Sequence, residues 1–319
     1  MLHLRILAPA TLTDPVLEVL DDDAVTGLVV LRGAAVRPAG DLITAQLARE
    51  AANDVIQRLR DLRVHQEGSI EVEQVGTWLS RSGFEAEVRT PGSSSDSVVW
   101  AQVAQRAYDE SELNWTYLSF LTLAIVIASI AIVTDSQILT VGAMVLGPEF
   151  GPVAALGVAL VRRRFVLFRL ASRTLVFGFV AAIGVTIVLA LIARALGWIT
   201  TAQVTGPRPA TAFIYTPDKW SFIVAVIAGA AGVLAITSAK SLGLAGVFIS
   251  VTTVPAAGNI ALGVAIADGS TVWGSLAQLL INIAGMAIAG WLTLLLQQVL
   301  WSRVSVRRAK HLVVPRRMV

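Results

Sequence analysis

Hydrophobic and polar positions alternate with a period of two at the start of this chain and merge into long apolar runs after residue 115. Leu2-His3-Leu4-Arg5-Ile6-Leu7 has the pattern of a half-buried strand. Thr13-Asp14-Pro15 reads as a helix start with proline in the first turn, followed by Val16, Leu17, Val19 and Leu20 on one face. Residues 26–31 and 41–47 predict two further strands, separated by a loop over 32–40 that contains Gly33, Pro38 and Gly40. Residues 49–63 predict an amphipathic helix with Ala52, Val55, Ile56 and Leu59 at helical spacing, and 69–73 a fourth strand. The order β-α-β-β-α-β over residues 1–75 is that of a ferredoxin-like α+β domain. Residues 76–114 predict a connector, with a Gly/Ser run near 92–97 and then a helical segment from 98 to 113. The acidic end of that segment, Asp109-Glu110-Ser111-Glu112, is placed to cap the first membrane helix.

From Trp115 to Trp301 the apolar runs are long enough to cross a bilayer, which needs about 20 residues each. Six spans are predicted, at 115–134, 136–160, 171–196, 220–237, 242–266 and 272–301. The second and fifth are interrupted. The second contains Gly147-Pro148-Glu149-Phe150-Gly151-Pro152, where two prolines remove backbone donors and clash with preceding carbonyls. The fifth contains Thr252-Thr253-Val254-Pro255 and then Gly258-Asn259. Broken helices are tolerated in a membrane only where protein or a watery cavity surrounds them. Leu156-Gly157-Val158-Ala159-Leu160 matches Leu262-Gly263-Val264-Ala265-Ile266, and Val141-Gly142-Ala143-Met144 answers Ala245-Gly246-Val247-Phe248 with two residues inserted between. Two repeats of three spans have opposite orientations, so the pattern predicts a 3+3 inverted repeat with broken helices.

The charge distribution divides the chain in the same place. Residues 1–113 carry a net charge of −8, whereas the remainder carries +11 and only four acidic residues, Asp135, Glu149, Asp218 and Asp268. With 55% hydrophobic and 15% charged residues and a mean hydropathy of +0.71, the composition is that of a polytopic membrane protein. The segment MLHLRILAPATLTDP is too soon interrupted to read as a signal peptide, so the first membrane helix is expected to direct insertion. Arg162, Arg163, Arg164, Arg169 and Arg173 lie between spans two and three, and residues 302–319 form a basic tail. The positive-inside rule places both in the cytoplasm, with the N-terminal domain, and puts Asp135 and Asp268 outside. Membrane lipids are the expected surroundings, and the high pI implies no nucleic-acid partner. Glycine and alanine runs at 228–232 and 285–290 favour close helix contact, within a subunit or between subunits. With the edges of the ferredoxin-like sheet they predict a homo-oligomer, dimer or trimer.

The chemistry on offer is sparse. Cysteine is absent, His3, His65 and His311 lie outside the spans, and there is no P-loop. No cofactor, no metal site, no catalytic constellation and hence no enzyme is expected. The candidate site residues for a solute or ion are Pro148, Glu149, Pro152, Thr252, Thr253, Pro255, Gly258 and Asn259, all at the breaks. An intramembrane carboxylate is a functional-site hypothesis by default. Thr252 and Thr253 can instead satisfy freed carbonyls. Secondary candidates are Asp135, which can also cap span two beside Ser136; Lys240, which can also anchor at the cytoplasmic side; and Gln278 with Asn282, which share a helix face and can also bond across helices. Helix starts at the breaks would face an anion, while exposed carbonyls would suit a cation.

The run Ile138 to Met144, followed by Gly147-Pro148 and Gly151-Pro152, resembles the GAM-x-x-x-P-x-x-x-P signature of the DUF389 family of uncharacterised hydrophobic proteins. Ala228-Gly229-Ala230-Ala231-Gly232 with Thr253-Val254-Pro255 is similar to that family's second conserved stretch. The resemblance covers roughly 115–301. It implies a six-helix membrane domain in a bacterial or archaeal membrane and supplies no substrate. Members usually carry an apolar residue where this chain has Glu149. The reading is a cytoplasmic-membrane transporter or channel for a small solute or ion, regulated by its N-terminal domain. The alternative is a non-transporting membrane sensor or scaffold.

Overall fold

The period-two pattern at the N-terminus folds as expected in a computed structural model that describes residues 1–90, 92, 97–209, 211, 219–237 and 253–308. The strands are β1 (Leu2–Ala8), β2 (Val25–Val36), β3 (Ala39–Leu47) and β4 (Ser69–Gln74). Leu2, Leu4, Ile6 and Ala8 point into the core, as do Ile43, Ala45 and Leu47. The sheet is antiparallel with order β2-β3-β1-β4, so Leu4 pairs with Ala45 on one side and Val72 on the other. Helices α1 (Ala10–Leu20) and α2 (Ala52–Asp61) supply Val16, Leu20, Val55, Ile56 and Leu59 to the same core. This is the β-α-β-β-α-β order with β1 and β3 in the centre.

Two expectations change here. Residues 32–40 are not a loop but the arms of a hairpin that turns at Arg37-Pro38. Gly33, at φ +67, sits where the register shifts between Leu31 and Ala35, so the glycine marks a bulge rather than a strand end. Its N–H donates to Asp41 at 2.7 Å, and Thr13 Oγ1 donates to the other oxygen at 2.7 Å. These bonds hold the Asp41 carboxyl below the usual range. The helix expected over 49–63 is shorter, with a separate turn, α3 (Val64–Glu67), after Arg63 in a left-handed conformation. The expected connector contains a helix, α4 (Arg81–Arg89), capped by Ser80 Oγ, with the Trp78 ring tilted against Phe84 at 4.6 Å between centroids. Its charged surface conceals the helix from hydropathy.

The chain divides into two compact units, Met1–Val103 with the end of the last helix from Gln298, and Ala104–Gln297. Helix α5 (Trp100–Glu110) leads into the second unit, which is helical: α6 (Trp115–Val133), α7 (Gln137–Leu146), α8 (Phe150–Val161), α9 (Phe165–Ala195), α10 (Thr201–Thr205), α11 (Lys219–Thr237), α12 (Thr253–Ile266) and α13 (Gly269–Arg308). Among the described residues three helices are long and apolar enough to span a membrane: α6, α9 and the 269–299 part of α13. The pair α7 and α8, bent by 56° at the break, passes the same test only when the two are taken together as one span. Helix α11 is apolar over 222–237 and α12 over 253–266, both shorter. The fifth expected span is described only from Thr253.

Three local expectations are corrected. The cap of α6 is Asn114, which accepts from Tyr117 N at 2.8 Å, and not the acidic run before it. Ser136 caps α7, while Asp135 stands in a left-handed turn at φ +46 and accepts from Thr211 Oγ1 at 2.8 Å. Helix α9 starts at Phe165, so Arg169 and Arg173 lie inside it, with the Arg173 guanidinium 5.8 Å from the Phe177 ring.

The glycine runs serve contacts within the chain. A Cβ on Gly229 of α11 would lie 2.4 Å from Met286 O of α13, and one on Gly290 2.7 Å from the Val233 side chain. Gly157 of α8 meets the backbone of Gly290 and Trp291. Gly142 of α7 has open space around it. Gly229→Ala is therefore expected to destabilise the protein by about 1–3 kcal/mol through overpacking. Gly142→Ala is expected to be neutral or stabilising, because alanine favours helix. Thermal melts in detergent check the pair, and equal shifts would refute the contact argument.

Candidate functional site

The break in the second apolar run follows from where its prolines fall. Helix α7 ends at Leu146, Gly147 and Pro148 turn the chain, and Glu149 is the N-cap of α8. Pro152 then occupies the third position of α8, where its missing N–H would have had no helical partner anyway. The two prolines separate two helices rather than kink one. Pro255 is the third described residue of α12.

Glu149 is fully buried, and Thr253 Oγ1 donates to its Oε1 at 2.6 Å. Thr253, the first described residue of α12, is thus bonded to the cap of α8. The start of α8 and α12 meet at one carboxylate, although 104 residues separate Glu149 from Thr253. Helix starts carry partial positive charge, which an anionic group there offsets.

Above this contact α12 lies against α6 and α9. Gly258 permits the approach: a Cβ there would come within 3.1 Å of the Ser129 backbone nitrogen. Ser129 Oγ donates to Ile125 O at 2.9 Å and reaches Gly258 O at 3.3 Å. One turn past Pro255, the buried Asn259 accepts from Arg208 Nη1 at 3.2 Å and donates to Ser275 Oγ at 2.7 Å. Asn259 therefore ties α12 to the 206–209 segment and to α13. Beyond it, Arg194 donates to Ala265 O near the end of α12.

On the other side of the Glu149 contact, Gly151 receives the Glu110 side chain, whose Cβ would be only 2.6 Å from an added methyl. Burial pushes the Glu110 carboxyl up, against the pull of Arg106 and with a smaller push from Asp109. Thr174 Oγ1 donates to Ser111 O at 2.5 Å, and one turn along α9 Gly178 accommodates the buried Tyr117 ring.

The structure brings together Pro148, Glu149, Pro152, Thr253 and Pro255, with Gly258 and Asn259 on the next two turns of α12. Asp135 is not with them, being held by Thr211. Gln278 and Asn282 are buried on α13. Thr252 and Lys240 lie outside the described residues. Asp268 caps α13, accepting from Ser270 and Thr271, chiefly the Thr271 hydroxyl, which lowers its pKa. Sequence reading missed Arg208 and Ser275. Arg208 is flanked by Pro207 and Pro209 in a loop where charge is read only as a topology signal. Ser275 is detectable as the residue three before Gln278 and seven before Asn282, on their face.

Residues 144–288 match the model of the family described as Domain of unknown function (DUF389), so the resemblance seen in the proline motifs is shown. That match and the apolar helices are those of a membrane protein. No curated protein and no solved structure matches the chain.

The Thr253–Glu149 bond yields a direct test. Thr253→Val keeps the shape of the side chain but takes a donor from a buried carboxylate, at a cost of about 1–3 kcal/mol. Thr253→Ser restores the donor and is expected to recover most of the loss. Detergent melts in which Val and Ser variants are equally stable would show that the bond contributes nothing.

Proposed function

We propose that this protein is a transporter or channel for a small solute or ion, working at the place where the start of α8 meets α12 at Thr253, and that it has no enzymatic activity. The observation that carries the proposal is the buried Thr253–Glu149 hydrogen bond, which joins the break between α7 and α8 to the proline-containing segment of α12. An anchor or scaffold has no need of two broken helices that share a buried carboxylate. Paired interruptions in corresponding places are the usual mark of a substrate site near the bilayer midplane.

The repeat supports the same reading. Helix α8 ends at the Arg162-Arg163-Arg164 run, whereas α12 ends beside Asp268. Under the positive-inside rule these ends face opposite sides of the membrane. The two half-helices then enter from opposite sides and point their starts at each other. Six spans, a 3+3 inverted repeat and a cytoplasmic N-terminal domain that regulates the path complete the proposal.

Two measurements test it. Glu149→Gln can still accept from Thr253, so the fold should survive, while solute flux in proteoliposomes should fall roughly tenfold or lose its pH dependence. Unchanged flux would remove Glu149 from the path. The topology is checked by single cysteines, which a cysteine-free chain allows without background. Asp268→Cys should react with an impermeant thiol reagent from outside, and Arg308→Cys only after permeabilisation. The reverse pattern would invert the arrangement.

A further inference from the structure

Gln278 and Asn282 stand one turn apart on α13, Gln278 at 1% exposure and Asn282 at 0%. The four polar atoms of their two carboxamides have no hydrogen-bond partner among the described residues. Were these side chains interhelical glue, each would bond to a neighbouring helix. A buried amide without a partner carries its full desolvation cost. It is retained where something absent from the resting contacts, water or a solute, supplies the partner.

Their position identifies the place. Ser275, on the same face of α13, accepts from Asn259 of α12, so this face is turned towards α12. The two helices leave a short turn at Ala267-Asp268, and Gly263 packs beside Thr271 and Val272 as Asn259 does beside Ser275. The contacts advance along α13 as they retreat along α12, so the pair is antiparallel. From Ser275 to Asn282 is about 10 Å along α13, and from Asn259 back to Thr253 is about 9 Å along α12, at ~1.5 Å per residue. Asn282 therefore lies level with Thr253, and so with Glu149 to which Thr253 is bonded.

The two carboxamides carry no charge and offer both donors and acceptors, which matches an uncharged solute that itself donates and accepts hydrogen bonds.

We propose that Gln278 and Asn282 form the solute-contacting wall of the site at which α8 and α12 meet, and that its solute is small, uncharged and both a donor and an acceptor of hydrogen bonds, of the urea or glycerol class. This rests on the transport reading above and specifies the substrate class.

Stopped-flow light scattering of proteoliposomes tests it, with inward gradients of urea, glycerol or potassium chloride as probes. The full-length protein is expected to accelerate re-swelling with urea or glycerol and to leave potassium and chloride excluded. Asn282→Leu and Gln278→Leu should each slow that uptake roughly tenfold, by removing a hydrogen bond to the moving solute. Their melting temperatures in detergent should be unchanged or higher, because an apolar side chain of similar size relieves an unmet amide. Lowered melting temperatures in both variants would make the amides structural and overturn the inference. Conduction of potassium or chloride without uptake of either uncharged probe would overturn the substrate class and leave the transport reading standing. Failure of the wild-type protein to move either uncharged probe would overturn the substrate class and leave the transport reading to other solutes.

Discussion

Backbone polar groups cannot be left unmet in hydrocarbon, and the membrane unit is arranged around the place where the chain breaks that rule's simplest solution. A continuous helix satisfies every internal N–H and carbonyl, but Pro148 and Pro152 forbid one here. The chain ends α7, turns, and starts α8 within the protein interior. A new helix start exposes N–H groups and a positive dipole end. Glu149 stands at that start, and Thr253 brings α12 to the same carboxylate. The carboxylate offsets the positive end of α8, and that end together with the Thr253 hydroxyl helps to compensate a carboxylate held away from water.

Close approach between helices is what allows this meeting, and glycine supplies it at several contacts. Gly258 lets α12 lie on the backbone of Ser129, Gly151 admits Glu110 beside the start of α8, and Gly178 seats the Tyr117 ring on α9. Gly229, Gly290 and Gly157 bring α11, α13 and α8 within backbone contact. Without a hydrophobic driving force between helices in lipid, such contacts and buried hydrogen bonds are the main sources of association. The polar side chains are therefore concentrated along α12, where Thr253 and Asn259 bond to three other segments.

The N-terminal unit answers to different physics. Its core is made by alternation on β1 and β3 and by the apolar faces of α1 and α2. Strand β2 contributes little to that core, with Leu28, Val29 and Leu31 each about half exposed at the sheet edge. Two bulges, at the Gly27 and Gly33 positions, twist this edge strand and mark it as irregular. Many functions are hosted on such sheets, so the topology alone assigns none.

Periodicity and composition by themselves determined the division of the chain, the strand–helix order of the first unit, the apolar helices of the second, and the break between α7 and α8. Each is a local property: alternation reports a half-buried strand, proline removes a donor wherever it stands, and charge counts need no geometry. The bulge at Gly33 escaped because it interrupts the alternation of β2, and the helix at Arg81–Arg89 because its surface is mostly charged. The candidate residues Glu149, Thr253 and Asn259 were legible as polar groups in apolar surroundings. That Glu149 meets Thr253, and that Asn259 meets Arg208 and Ser275, was decided only in the tertiary structure. These bonds join residues 104, 51 and 16 positions apart, and no local pattern encodes which helix packs against which. Only side-chain packing between helices, set by where glycine permits contact, brings them to one place.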